Sequence, residues 1–166
     1  MRILVDGYNV IRRLPELRAV ERAEGLAAGR EALCVRLRTY RRARGHAITV
    51  VFDGAGGTGA SSGGGGLTVR FSRAGETADA VIARLLEAGG SGAVVVSSDT
   101  AVAAAARRAG AAAVTAEEFG ARLEAVAIGA LKGAEEESPP APAKGKGPSR
   151  RLPKAERARR ARLGKL

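Results

Sequence analysis

Ala93-Val94-Val95-Val96-Ser97-Ser98-Asp99 decides the fold class. Four apolar residues follow one another without polar alternation, and glycines at 89, 90 and 92 punctuate the approach. A short, continuous β-branched run of this kind is a strand covered on both faces, the condition met in a parallel sheet with helices on either side. Upstream of it, Ala78 to Glu87 places Val81, Ile82, Leu85 and Leu86 on one helical face. Downstream, Thr100 to Ala109 reads as an alanine-rich helix and Ala112-Ala113-Val114 as a short strand. Thr115-Ala116-Glu117-Glu118 is a capping box that opens a last helix to about Leu131.

Further out, Arg2-Ile3-Leu4-Val5 and Ala47-Ile48-Thr49-Val50-Val51-Phe52 read as buried strands, and Leu67-Thr68-Val69-Arg70-Phe71 as a half-exposed one. Leu26, Leu33, Leu37 and Tyr40 recur at helical spacing between the first two. The expected fold is therefore α/β, three-layered and doubly wound around a mainly parallel sheet. Gly54 to Gly66 holds eight glycines in thirteen residues. No Gly-Lys-Ser/Thr follows it and no helix opens directly after it, so it reads as a flexible connection and not as a phosphate loop.

Charge sets the domain boundaries. The chain has 166 residues, 28 Lys plus Arg and 17 Asp plus Glu, and a formal net charge of +11. Residues 1–133 carry net +5, whereas residues 134–166 carry net +6, so a fifth of the chain holds over half of the charge. We expect one domain over 1–133. A Glu-, Pro- and Gly-rich linker over 134–150 is too polar to build a core. A basic tail over 151–166 would become helical on a polyanion, with Pro153 in its first turn.

A strongly basic chain favours nucleic acid as partner, ahead of an anionic membrane. Arg150, Arg151, Lys154, Arg157, Arg159, Arg160 and Arg162 of the tail are the expected RNA contacts, together with Arg73. One cysteine, Cys34, excludes an internal disulfide and fits a reducing cytosol. Asp6 and Asn9 interrupt the first apolar run well short of a secretory signal core, and no stretch reaches membrane-span length, so a cytoplasmic protein is expected. The oligomeric state is left open.

Ligands of an open parallel sheet bind outside the carboxyl ends of its strands. Asp6, Asp53 and Asp99 directly follow three of the expected strands. A fourth acidic group, Glu76-Thr77-Ala78-Asp79, opens the helix leading into the Val94 strand, so Glu76 or Asp79 is expected to join them. Each acid has a plain structural role available: a helix cap for Asp99, an Asp-Gly turn for Asp53, a strand exit for Asp6, a dipole partner for Asp79. Three strands ending in acids on one edge make the joint arrangement functional. Crowded carboxylates either rise in pKa or are neutralised by a cation, a hard divalent ion being the simpler solution, and carboxylates without clustered His or Cys select Mg²⁺ or Mn²⁺ over Zn²⁺. Such an ion suits in-line cleavage of a phosphodiester. His46, the single histidine, reads as a surface turn residue, and its isolation argues against nucleophile-and-histidine hydrolysis. Cys34 reads as core, and Arg30, Arg38, Arg41, Arg42 and Arg44 as a solvated basic helix face.

Val5-Asp6-Gly7-Tyr8-Asn9-Val10-Ile11, Val50-Val51-Phe52-Asp53-Gly54, Phe71 through Glu76-Thr77-Ala78-Asp79, and Val95-Val96-Ser97-Ser98-Asp99 stand in an informative order and spacing. Over roughly residues 2–126 they resemble the YacP-like NYN-domain family of the PIN-like nuclease superfamily. The resemblance implies a metal-dependent endoribonuclease, with some bacterial members acting on messenger RNA at the translating ribosome. It implies Asp6, Asp79 and Asp99 as the core metal-binding and catalytic acids, with Asp53 and Glu76 as supporting ligands. Asn9 would orient the first acid or contact the scissile phosphate, and Ser98 would donate a hydrogen bond to the ligand set. Ala80 stands where members often carry a further acid.

The expected function is Mg²⁺- or Mn²⁺-dependent endonucleolytic cleavage of RNA, with low sequence selectivity because five aromatics cannot build a broad stacking platform. The alternative is a non-catalytic RNA- or ribosome-binding protein with a vestigial acidic site. A haloacid-dehalogenase type phosphotransferase needs an acid where Tyr8 stands. A response-regulator receiver needs an acidic pair near the first strand and a late Lys, whereas Asp6 stands alone and Lys132 is the only lysine before the linker.

Overall fold

The computed structural model describes residues 1–54, 61–62, 66–132 and 164. The expected linker, and the seven tail residues named as RNA contacts, lie outside the described residues, as does most of the glycine-rich connection. Six strands form one sheet: β1 (Arg2–Asp6), β2 (Ala47–Phe52), β3 (Ser61–Ser62), β4 (Leu67–Phe71), β5 (Val94–Val96) and β6 (Ala112–Val114). Their spatial order is β3-β4-β2-β1-β5-β6. The five longer strands run parallel, and only the two-residue β3 pairs antiparallel, at the β4 edge.

Chain order explains where a site must form. From β1 the chain winds outward to β2 and β4, then returns across the sheet to β5 and β6 on the other side of β1. The winding reverses between β1 and β5, and at such a point the loops leaving neighbouring strands part and open a crevice. Asp6 ends β1 there, and Ser97-Ser98-Asp99 follows β5.

Among the described residues six helices cover the sheet: α1 (Gly7–Arg13), α2 (Pro15–Glu24), α3 (Leu26–Arg44), α4 (Ala78–Glu87), α5 (Thr100–Arg108) and α6 (Ala116–Lys132). Strand alternation divides the core in two. Ile3, Val5, Ile48, Val50, Phe52, Leu67 and Val69 face α1, α3 and α6, while Leu4, Val51 and Val95 face α4 and α5. This is the expected three-layered, doubly wound α/β arrangement. The capping box is realised reciprocally: the Glu118 N–H donates to Thr115 Oγ1 at 3.1 Å, and the Thr115 N–H to Glu118 Oε2 at 3.1 Å.

Three expectations need correction. Between Asp6 and Leu26 the sequence reading places no element, yet α1 and α2 fill the interval. α1 is too short to declare itself by periodicity and forms because the Asp6 side chain caps it, while α2 opens with Pro15 at its first position. His46 is buried, not a surface turn residue, with its ring 6.2 Å from that of Tyr40; α3 ends on left-handed Gly45, which turns the chain inward at once. Leu26 is 49% exposed, because it is the first residue of α3 and the buried face starts only at Gly29.

A close backbone approach serves the site. Gly7, the first residue of α1, lies so close to Phe52 that a Cβ there would overlap its ring at Cε1. The Phe52 ring is buried and also contacts Tyr8 edge-on, with centroids 5.2 Å apart, so it has nowhere to go. Gly7→Ala should therefore destabilise the protein by about 1–3 kcal/mol. It should also displace Asp6 and Tyr8, which urea denaturation and near-ultraviolet circular dichroism would register together.

Candidate active site

Asp6 anchors the site. It is the last residue of β1 and the N-cap of α1, its Oδ1 accepting the Asn9 N–H at 3.3 Å. Its Oδ2 accepts the buried Ser97 hydroxyl at 2.9 Å, and only 6% of the residue is exposed. Burial pushes the Asp6 carboxyl up to about 6, against the pull of the Ser97 and Asn9 hydrogen bonds, and the Asp79 and Asp53 charges add to the rise.

The other acids are placed by helix starts. Asp99 is the N-cap of α5, accepting from the N–H groups of Ala101 at 2.7 Å and Val102 at 3.1 Å. Its own N–H donates to Ser97 Oγ at 3.1 Å. Asp53 does not close an Asp-Gly turn; its Oδ1 accepts the N–H of Ala78, the first residue of α4. Thr77 caps the same helix by accepting from Ala80 N–H at 3.3 Å, and Asp79 stands in its first turn. The strand-end acid Asp53 thus ties down the helix that presents Asp79. Burial pushes the Asp79 carboxyl up, and the Asp99 and Asp53 charges push it further.

Asp6, Asp53, Asp79 and Asp99 therefore form one electrostatic cluster at the carboxyl edge of the sheet. Glu76 belongs elsewhere: it pairs with Arg84 and accepts the Arg73 N–H at 3.5 Å. Partial burial raises its carboxyl, but the Arg84 and Arg73 interactions outweigh it and hold the group below the usual range. Arg73 is exposed on the same turn. Among the described residues no three His, Cys, Asp or Glu side chains converge closely enough to enclose an ion by themselves.

Asn9 Oδ1 accepts the Ser98 N–H at 2.9 Å, so the α1 side chain pins the loop after β5. The Ser98 hydroxyl turns away from the aspartates, donating to Glu117 Oε2 at 2.7 Å and accepting the Ala116 N–H at 3.0 Å. Ser98, its own backbone N–H and Arg13 hold the Glu117 carboxyl below the usual range despite some burial. The hydroxyl that touches Asp6 is that of Ser97. Sequence reasoning passed over it because a serine at the end of an apolar strand carries no signal of its own; its partner is 91 residues away. Glu117 was legible only as part of a capping box.

The sign of the Asp6 linkage is testable. A carboxyl whose folded pKa lies above its unfolded one favours folding fully below about pH 4 and loses that contribution as pH rises through about 6. The ionised form then costs on the order of 3 kcal/mol. In metal-free protein, Asp6→Asn should raise the urea midpoint over wild type near pH 8 and leave it nearly unchanged near pH 4. Equal differences at both values would sink this account.

The YacP-like NYN domain family matches residues 3–162, beyond the stretch that carries the motif resemblance and into the basic tail. No curated protein matches the chain. Two crystal structures of Rae1 (YacP) from Bacillus subtilis are similar to it. A point-mutant form shares 26% identity at a TM-score of 0.69, with 85% of this chain and 87% of that one covered. A second Rae1 structure gives the same identity and score, 26% and 0.69, over 81% and 79% of the two chains. With most of its length matched and its acids on the expected sheet edge, the chain belongs to the YacP-like NYN domain family.

Proposed function

We propose that the protein is a divalent-metal-dependent endoribonuclease that cuts RNA phosphodiester bonds, with messenger RNA at the translating ribosome as its substrate, in the cytoplasm. The observation that carries this reading is the state of Asp79. Its carboxyl stands exposed in the first turn of α4, raised by partial desolvation and by the neighbouring Asp99 and Asp53, and among the described residues no cation or hydrogen bond relieves it. Family membership, the Rae1 likeness and the basic charge support an RNA-directed nuclease.

The donor set suits Mg²⁺ or Mn²⁺. It is all oxygen, and Mg²⁺ commonly takes only one or two carboxylates and keeps its remaining waters, so acids that surround a space without enclosing it are appropriate. Asp6, Asp79 and Asp99 would hold the ion, with Asp53 supporting α4 and Glu76 outside the inner set. A bound ion of this kind supplies a water of lowered pKa and neutralises charge developing on the phosphate.

The protein's own groups fix the geometry. Each of Asp6, Asp53 and Asp99 has one oxygen anchored by a backbone N–H, and lone pairs that these hydrogen bonds do not use would serve the ion. Ser97 holds Asp6 against rotation and steadies its charge. Asn9, with its carbonyl taken by Ser98, keeps its amide NH₂ for a phosphate oxygen. Arg73 and the tail residues Arg150, Arg151, Lys154, Arg157, Arg159, Arg160 and Arg162 hold the RNA backbone, so recognition rests on charge and shape rather than on bases.

Asp79→Asn should reduce cleavage of a labelled messenger RNA by about a hundredfold or more while RNA binding persists. The assay is a reconstituted translation reaction with Mg²⁺ or Mn²⁺, run with and without ribosomes. Cuts that require ribosomes support the full proposal, and cuts without them support the nuclease alone. Absence of cuts from folded, RNA-binding wild type would overturn it in favour of a binding module.

A further inference from the structure

Outside the acid edge, arginines dominate one surface. Arg12 and Arg13 end α1, and Arg18 and Arg22 lie one turn apart on α2. With Glu21 they line an open groove of about 480 Å³. The helix dipole favours a cation in the last turn of each helix, which accounts for Arg12, Arg13 and Arg22 taken singly. It does not account for Arg18, nor for four guanidinium groups sharing one groove, since like charges at i,i+4 repel. Among the described residues only Arg13 of the four has a carboxylate partner, Glu117 at 3.7 Å. Arg12 lies over the Tyr8 ring, 5.4 Å from its centroid, a contact that leaves its N–H edge free.

We propose that this groove is a phosphate-binding site that seats the RNA backbone beside the cleavage site, an inference that rests on the nuclease reading. Guanidinium forks match phosphate oxygens in pairs, and unrelieved repulsion among them favours an anionic occupant. An RNA strand is favoured over a small anion because the groove is open, spans two helices and is linked to the acid edge through α1 and the Arg13–Glu117 pair. α1 begins at Asp6 and reaches Arg13 within about 10 Å of helix. Arg13 in turn meets Glu117, which accepts from Ser98 beside Asp99. A backbone lying on Arg12, Arg18 and Arg22 would therefore run toward the aspartates.

The test uses the full chain in EDTA, so that binding is read without cleavage, and a labelled single-stranded RNA of about 20 nucleotides in fluorescence anisotropy across a salt series. Arg18→Gln/Arg22→Gln removes two charges from exposed positions in the groove. Arg107→Gln/Arg108→Gln removes the same charge from the last turn of α5, at the opposite end of the sheet. Circular dichroism confirms that both fold. The groove variant should lower the slope of log affinity against log salt by about 1.4, on the order of 50-fold weaker binding at low salt, while the control keeps most of the wild-type slope. An unchanged slope in the groove variant, or equal losses in both variants, would overturn the proposal. Cleavage by wild type in Mg²⁺ separates the two readings. Cleavage with an unchanged groove slope removes the groove alone, whereas no cleavage with the slope difference intact removes the nuclease and leaves the groove.

Discussion

A single hydroxyl joins the two halves of this molecule's carboxyl edge. Ser97 donates to Asp6 at the end of β1 and accepts the backbone N–H of Asp99 at the start of α5, spanning the point where the sheet reverses its winding. Both Ser97 and Asp6 are buried, where an unpaired polar group costs more than a hydrogen bond returns in water. The two are therefore mutually obligatory. Remove the hydroxyl and a buried carboxylate loses the donor that steadies its charge, while the Asp99 turn loses its acceptor. Asn9 repeats the connection from the other direction by holding the Ser98 N–H.

The aspartates have structural employment without being used up by it. Asp6 and Asp99 cap helices, and Asp53 holds the start of α4. A cap engages one oxygen with one or two N–H donors and orients the carboxylate against rotation. The same constraint that stabilises a helix start fixes the orientation of each carboxylate at the sheet edge, so in the proposed nuclease the structural and the chemical roles of these residues share one geometry. The cost is electrostatic: burial and the neighbouring acids push the Asp6 carboxyl up, and partial desolvation with the Asp99 and Asp53 charges pushes Asp79 the same way. A site that holds its charges under mutual repulsion gives up stability, a cost concentrated at functional sites.

Opposite charges are sorted around this edge. Glu76 with Arg84, and Glu117 with Arg13, are satisfied pairs at its periphery. The α1–α2 arginines stand mostly unpaired beside it, and the net positive charge of the chain is carried largely outside the acid cluster. Such an arrangement sets positive charge on the flanks of an acidic centre, the electrostatics that the proposed nuclease requires.

The sequence by itself determined the layered fold, because buried parallel strands must be continuously apolar and the intervening helices must show a 3.6-residue stripe. The Val94 strand, the Ala78–Glu87 helix and the Thr115 capping box all declare themselves within a few neighbouring residues. The placing of Asp6, Asp53 and Asp99 after strands was equally local, which is why a shared edge could be read before any contact was known. What only the tertiary structure decided rests on distant partners. Ser97 rather than Ser98 serves Asp6, Asp53 caps the helix that carries Asp79, and Glu76 is taken by Arg84 and leaves the cluster. α1 was invisible for the same reason, since seven residues are too few for a period to show and its cap is a strand-end acid. Strand and helix patterns repeat over short windows, whereas hydrogen-bond partners are chosen by how separate elements pack, and no periodicity encodes that choice.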